Sequence, residues 1–277
     1  MDSLPKPFDA ARAARTLEAL DGVAPTPLLE AAFGNSPFLA RLALREPAVL
    51  STPPETVVEA ARALALSAAE APDEAEAMAR LRIAKRRAAL AIALADIAGA
   101  WDVDTVTRRL SEFADAAVKG SLRFLLRRAA GGGDGAALEA TTGLIVLAMG
   151  KYGAFELNYS SDIDLVAFYD TERFPFRKRD DPRGAAVDIV KGLVKLLSEQ
   201  TADGYVFRTD LRLRPDPAST PPALSVLAAL TYYESAGQNW ERAALIKARA
   251  CAGDLSAGET LLNELAPFVW RKYLDFA

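Results

Sequence analysis

The feature that most limits what this chain can fold into is a pair of apolar runs with an acidic hinge between them. The first, Leu144-Ile145-Val146-Leu147-Ala148-Met149, stops at Gly150-Lys151, and the second, Ile163 to Tyr169, is opened by Asp162 and carries Asp164. Short apolar runs bounded by glycine and polar residues read as buried strands. The Gly150-Lys151 end reads as a tight turn into a helix, which glycine permits. Side chains at i and i+2 of a strand share a face, so Asp162 and Asp164 point the same way. Two carboxylates held side by side repel unless a cation lies between them. Oxygen ligands of this kind suit Mg²⁺, which takes one or two carboxylates plus substrate phosphates. The expected chemistry is therefore two-metal phosphoryl or nucleotidyl transfer.

A third carboxylate lies where that chemistry needs one. In the stretch 204–215, alternation predicts a strand with Arg208, Asp210, Arg212 and Arg214 on one face and Phe207, Thr209, Leu211 and Leu213 on the other. Asp210 is expected to complete the metal set, and Arg212 and Arg214 to clamp phosphate, because a guanidinium donates two parallel hydrogen bonds. Each piece alone has a plainer reading. An Asp-x-Asp pair often caps a turn, an Arg-Leu-Arg alternation is often a half-exposed strand, and Gly-Lys is often a simple strand-to-helix turn. The order is what carries weight: strand, glycine, Asp-x-Asp opening a strand, helix, then a third aspartate on an alternating strand. It predicts a nucleotidyltransferase-type site.

Longer motifs add a resemblance. Met149-Gly150-Lys151-Tyr152-Gly153, followed by Glu156-Leu157-Asn158-Tyr159-Ser160-Ser161-Asp162-Ile163-Asp164-Leu165, resembles the bifunctional glutamine synthetase adenylyltransferase/adenylyl-removing family. Tyr205-Val206-Phe207-Arg208, Asp210-Leu211-Arg212-Leu213-Arg214-Pro215, Trp240-Glu241-Arg242 and Leu245-Ile246-Lys247-Ala248-Arg249 follow in the same order. Upstream, Phe33-Gly34-Asn35-Ser36-Pro37 and Arg45-Glu46-Pro47 resemble the start of the family's chains. The chain departs from the pattern at Tyr152 and Ala154-Phe155, where the family tends to smaller or glycine-rich residues.

The resemblance implies an α+β fold: a nucleotidyltransferase core of the DNA polymerase beta type with a small mixed sheet, preceded and followed by helical segments. The Glu-Leu-Asn-Tyr-Ser-Ser-Asp-Ile-Asp wording is similar to the family's N-terminal half, which implies adenylyl removal. In that reaction phosphate, as co-substrate, attacks the adenylyl phosphorus of a modified tyrosine on glutamine synthetase and ADP leaves. Asp162, Asp164 and Asp210 would hold two ions, Mg²⁺ or Mn²⁺. The tyrosine leaving group has a pKa near about 10, so metal stabilisation replaces a general acid. Gly150 would let backbone approach a phosphate at a helix N-terminus. Lys151 adds a point charge there or faces solvent. Ser160 and Ser161 donate to phosphate or cap the turn before the strand. Arg242, Lys247 and Arg249 are expected on one helix, lining the cleft or forming an exposed basic face, with Trp240 packed beside them. Partners implied are adenylylated glutamine synthetase and, through a longer chain, the PII signal protein. Two other readings stay open: an adenylyltransferase of the same fold acting on a protein or small molecule, and a module that only binds glutamine synthetase or PII. Family chains are several times longer than 277 residues, so a fragment that stops inside a helix near Trp270 is expected.

Composition narrows the field further. The net charge is −4, without the basic surplus of a nucleic-acid binder. The chain has no histidine, which removes Ser-His-Asp and Cys-His catalysis and histidine-bound zinc. The single cysteine, Cys251, forms no intrachain disulfide and is expected to be a small buried residue. No apolar leader opens the sequence, and the most apolar stretch, 88–101, carries Asp96 and is too short for a bilayer; a cytoplasmic protein without membrane contact is expected.

Three regions are expected: a helical one over 1–102, the nucleotidyltransferase core over 103–222, and a further helical segment over 223–277. Within the first, helices are predicted at 9–20, 27–33, 37–44, 54–69 and 73–100. A basic cluster, Lys85-Arg86-Arg87, is read as a solvated helix face. A helix over 103–130 leads to a glycine-rich loop at 131–135, which lacks the lysine and hydroxyl spacing of a phosphate loop. An exposed loop at 173–182, a helix at 184–201, a proline-rich loop at 215–222, and helices at 224–237 and 239–250 complete the reading.

Overall fold

A computed structural model describes residues 4–270; the opening Met1-Asp2-Ser3 and the expected closing helix beyond Trp270 lie outside the described residues. The first hundred residues are helical, as their periodicity predicts. Their elements are α1 (Ala10–Glu18), α2 (Pro27–Asn35), α3 (Pro37–Arg45), α4 (Pro54–Leu66) and α5 (Glu74–Ile97). Each start follows a local rule. Asp9, Thr26, Ser36 and Asp73 accept a backbone N–H from the first turn, and proline occupies the first turn of α2, α3 and α4, where its missing N–H costs nothing.

The long helix α6 (Val103–Ala130) is the spine of the molecule. Asp102 caps it, and Gly131 ends it in the left-handed conformation, the usual helix C-terminal device. It packs against α4 and α5 on one side and against α9 (Pro182–Ser198) and the sheet on the other. Gly120 sets the α4 approach: a Cβ there would lie 2.1 Å from the Ala65 carbonyl oxygen. Gly120→Ala is therefore expected to cost about 1–3 kcal/mol through forced separation of α4 and α6. A chemical-denaturation midpoint equal to that of the parent chain would refute this.

The sheet is small and mixed. Its strands are β1 (Leu144–Ala148), β2 (Ile163–Tyr169), β3 (Thr209–Asp210), β4 (Ala223–Ser225) and β5 (Arg249–Gly253). β1 lies antiparallel to both β2 and β5, while β3 and β4 run parallel to the two ends of β2 on its other edge. Alternation on β1 divides the core. Leu144, Val146 and Ala148 join the large cluster built on α5, α6 and α9. Ile145, Leu147 and Met149 face a smaller cluster with Ala229, Tyr233, Leu261 and Phe268. That second layer consists of α10 (Val226–Ser235), α11 (Asn239–Leu245) and α12 (Leu255–Val269). Between β1 and β2 sits the four-residue α8 (Gly150–Gly153).

Four expectations are corrected. The glycine-rich stretch at 131–135 is followed by a short helix, α7 (Gly135–Thr141), capped by Asp134. The region over 223–277 is not wholly helical: it supplies β4 and β5, so the helix predicted at 224–237 starts at Val226 and the one at 239–250 ends at Leu245. The Ala250-Cys251-Ala252-Gly253 run has helix-favouring alanines, but only small residues fit there. A Cβ on Gly253 would lie 2.0 Å from the Leu144 carbonyl oxygen, and one on Gly258 of α12 would lie 2.7 Å from Ala250. Packing overrides propensity at that position. The alternating strand over 204–215 shrinks to the two residues of β3. Finally, Lys85-Arg86-Arg87 is a solvated face only at Arg87, which is exposed, while Lys85 and Arg86 are half-buried. Arg86 and Arg87 both grip buried Glu46, at 2.9 and 2.8 Å, and Lys85 lies 4.0 Å from the centre of the Phe207 ring. Among the described residues no helix is long and apolar enough to cross a membrane.

Candidate active site

The three aspartates come together at one end of β2. Asp162 immediately precedes the strand, and Asp164, on it, is opposite Asp210 of β3 in parallel register. Asp164 alternates with buried Ile163 and Leu165 and is itself half-buried. Its carboxyl is held above the usual carboxylate range, first by burial and then by the charges of Asp210 and Asp162, with Arg212 pulling the other way. The turn from β1 into α8 that lies against it is built on Gly150, whose φ of +54° lies in the left-handed region that glycine tolerates. A Cβ at Gly150 would lie 3.3 Å from Asp164 Oδ2, so backbone and carboxylate are in close approach.

Arginines occupy the other two carboxylates. Arg208 Nε donates to Asp162 Oδ1, and the same guanidinium reaches the Ser160 carbonyl at 2.6 Å and the Tyr205 hydroxyl at 3.2 Å. Arg212 forks onto Asp210 at 2.8 and 2.5 Å; its hydrogen bonds are the main reason the Asp210 carboxyl lies below its ordinary value. The Arg212 backbone N–H also donates to Asp210 Oδ1, at 2.8 Å. This is the local turn by which an aspartate competes with sheet pairing, and it ends β3 at that residue. Alternation alone did not reveal it.

The remaining candidates fall in different places. Arg214 is not free for a ligand: its guanidinium donates to the carbonyls of Leu211, Pro217 and Thr220, closing the 211–220 loop. Arg242, Lys247 and Arg249 do not share a helix. Arg242, on α11, donates to the Phe268 carbonyl at 3.0 Å. Lys247, in the following turn, pairs with Glu156 at 2.5 Å. Arg249, on β5, chelates Asp115 of α6 at 2.8 and 3.0 Å and lies 3.9 Å from the Phe155 ring centre. Tyr152 donates to the same Asp115, at 2.7 Å, so the aromatic departures near Gly150 are part of one buried clamp between α6, α8 and β5. Trp240 is exposed rather than packed, whereas Cys251 is buried. Lys151 is exposed, and Ser161 donates to Asn158 at 2.6 Å, a turn-capping contact. Arg208 is a residue of this site whose partner the sequence did not indicate. Its position two residues before Asp210 signalled a shared face, but it turns across to Asp162.

Among the described residues no three His, Cys, Asp or Glu side chains are gathered closely enough to hold a metal ion as they stand. Two of the three carboxylates are turned onto guanidinium groups instead. The donor chemistry nonetheless suits a hard cation: carboxylate oxygens, without thiolate or imidazole. Asp164 is the group an added cation would relieve.

The sequence places this α+β chain, with its acidic end of a mixed sheet, in a known family. Residues 27–264 match the family model described as glutamate-ammonia ligase adenylyltransferase, and the chain belongs to that family. It is 54% identical over 252 residues to the bifunctional glutamine synthetase adenylyltransferase/adenylyl-removing enzyme of Rhodopseudomonas palustris (strain HaA2), an alignment covering 87% of this chain and 26% of that protein. Proteins of the same description from Rhizobium meliloti and Xanthobacter autotrophicus are 51% and 52% identical, covering 90% and 87% of this chain. The chain thus spans about a quarter of the length of these curated relatives.

Proposed function

We propose that this chain is a nucleotidyltransferase-type unit, with a core of the DNA polymerase beta type, that removes AMP from an adenylylated tyrosine of glutamine synthetase by phosphorolysis. The observation that carries the reading is the juxtaposition of Asp164 and Asp210 on adjacent parallel strands with Asp162 beside them, where burial and then the neighbouring carboxylates disfavour the Asp164 charge. Asp162, Asp164 and Asp210 would hold Mg²⁺ or Mn²⁺. When bound, such ions supply positive charge to an attacking phosphate and to a departing phenolate oxygen.

The chain's own residues supply the rest. Arg208 and Arg212 are largely exposed, so each is free to leave its aspartate and fork onto phosphate oxygens, where charge-assisted pairs are strong. Both reactants are anions, so positioning and neutralisation matter more than proton transfer. In the reaction a phosphate oxygen bonds to the adenylyl phosphorus as its bond to the tyrosine oxygen breaks. The electron pair leaves on the phenolate, which takes a proton from water, and ADP is released. The N-terminal-half wording around Glu156–Asp164 supports removal over addition.

The test is incubation of this chain with adenylylated glutamine synthetase, Mg²⁺ and phosphate, without PII. Phosphate-dependent ADP is the expected product. Transfer of AMP from ATP onto glutamine synthetase would reverse the direction, and binding without either product would reduce the chain to a docking module.

A further inference from the structure

Beside the carboxylates, on the opposite side of Arg208, lies a cleft of about 790 Å³ between α3, α5 and the loops at 159–161 and 200–208. Its floor is one stripe of α5: Lys85, Ala89, Ala93 and Ile97 recur every fourth residue and so share a helix face. The small side chains at 89 and 93 leave a flat apolar surface. The rim is aromatic, with Phe38, Tyr159 and Tyr205 each at least two-fifths exposed.

The charge in this cleft is unbalanced. Only Asp96 and Asp203 among its lining residues are acidic, and both are already engaged. Asp96 accepts from the Tyr159 hydroxyl at 2.8 Å, and Asp203 accepts from Arg86 at 2.9 Å. Lys85, half-buried, lies over the Phe207 ring with no acidic partner among the described residues, and desolvation pushes its ammonium down to about 8. A partly desolvated cation with no acidic partner carries a cost; a bound anion offsets it. Arg41, on α3, brings further positive charge to the mouth, while its neighbour Arg45 is paired with Asp203 at 3.4 Å.

We infer that this cleft is a binding site for a small organic anion with a flat apolar body, its anionic head on Lys85 with Arg41 and its body on the Ala89–Ala93 face under Tyr159 and Tyr205. The volume fits a ligand of that size. The three aspartates do not line the cleft, but Arg208, Ser160 and Ser161 do, so it adjoins the proposed reaction site, and binding without divalent ions or glutamine synthetase tests it separately from turnover.

The test is calorimetric titration of the chain with 1-naphthyl phosphate, in the absence of divalent ions and of glutamine synthetase. Inorganic phosphate and 1-naphthol supply the head and the body separately. Naphthyl phosphate is expected to bind in the submillimolar range, with each half alone at least about tenfold weaker, and Lys85→Met to weaken it about tenfold or more. Removal of an uncompensated charge predicts that Lys85→Met folds as well as the parent, and thermal melting checks this. Should it melt early, Ala93→Leu decides the matter, because it fills the floor and keeps every charge; it is expected to weaken binding by a similar factor. No binding at about 10 mM, or equal affinity in the variant that folds, overturns the inference.

Discussion

Asp164→Asn is expected to lower phosphate-dependent ADP formation about a thousandfold, equivalent to roughly 4 kcal/mol of transition-state stabilisation. Asp164 is the central member of the carboxylate cluster: it faces Asp210 across the strand pair and stands two residues from Asp162. The amide keeps the shape and removes the charge a cation would require. Stability should move the other way. The Asp164 carboxyl is raised in the folded chain, so its ionised form is disfavoured there. That penalty is absent at low pH and grows as pH rises through the folded value. At neutral pH the asparagine variant should therefore melt at or slightly above the parent temperature, and the gain should vanish in acid. Full activity in the variant would remove Asp164 from the site; a markedly lower melting temperature would make it a structural residue.

The second large effect concerns stability. Arg82 is only 1% exposed, and its guanidinium donates to the carbonyls of Met78, Leu196, Glu199 and Gly204. It ties α5 to the end of α9 and to the loop that leads into β3. Burial is the main influence on it and lowers its pKa, yet the surrounding carbonyls offset the cost of enclosing the charge. Arg82→Met keeps much of the volume and removes every donor. Met78 lies within α5, and the Gly204 carbonyl also accepts from the Thr201 N–H, so the loss concentrates on Leu196 and Glu199. A destabilisation of about 3–5 kcal/mol is expected, or roughly 10 °C in melting temperature for a chain of this size. Arg82→Lys should recover only part, since an ammonium cannot span four acceptors in a planar fork. A shift below about 2 °C for Arg82→Met would refute this assignment.

Arg82 also illustrates what the sequence conceals. Helical spacing marked α5 as a helix, and Asp73 marked its start, but nothing in the order of residues says that one arginine on it serves carbonyls more than a hundred positions away. The basic cluster just beyond it misleads for the same reason. Three consecutive cations resemble a wet surface until Glu46 and the Phe207 ring are brought over them by α3 and the 200–208 loop.

The acidic site was legible in part. The order of strand, glycine and Asp-x-Asp put Gly150 just past β1 and Asp162 and Asp164 at the opening of β2, because apolar runs and the residues that interrupt them mark strand ends. The motif order led to Asp210 as a third carboxylate of the same site, and only the β2–β3 register sets it opposite Asp164. Period-two alternation over 208–214 proved a poor guide beyond Asp210, where a local aspartate turn and the Arg214 carbonyl clamp hold the chain in a loop. The same limit separated Arg242, Lys247 and Arg249, which an alanine-rich run suggested to be one helix. By itself the sequence determined the helices of the first 130 residues, the two central strands and the identity of the three acidic groups, all of which depend on short-range periodicity and capping. Only the tertiary structure decided which cation faces which carboxylate, that small residues at 250–253 form an inner strand, and that α5 floors a cleft, because each depends on close approaches between segments far apart in the chain.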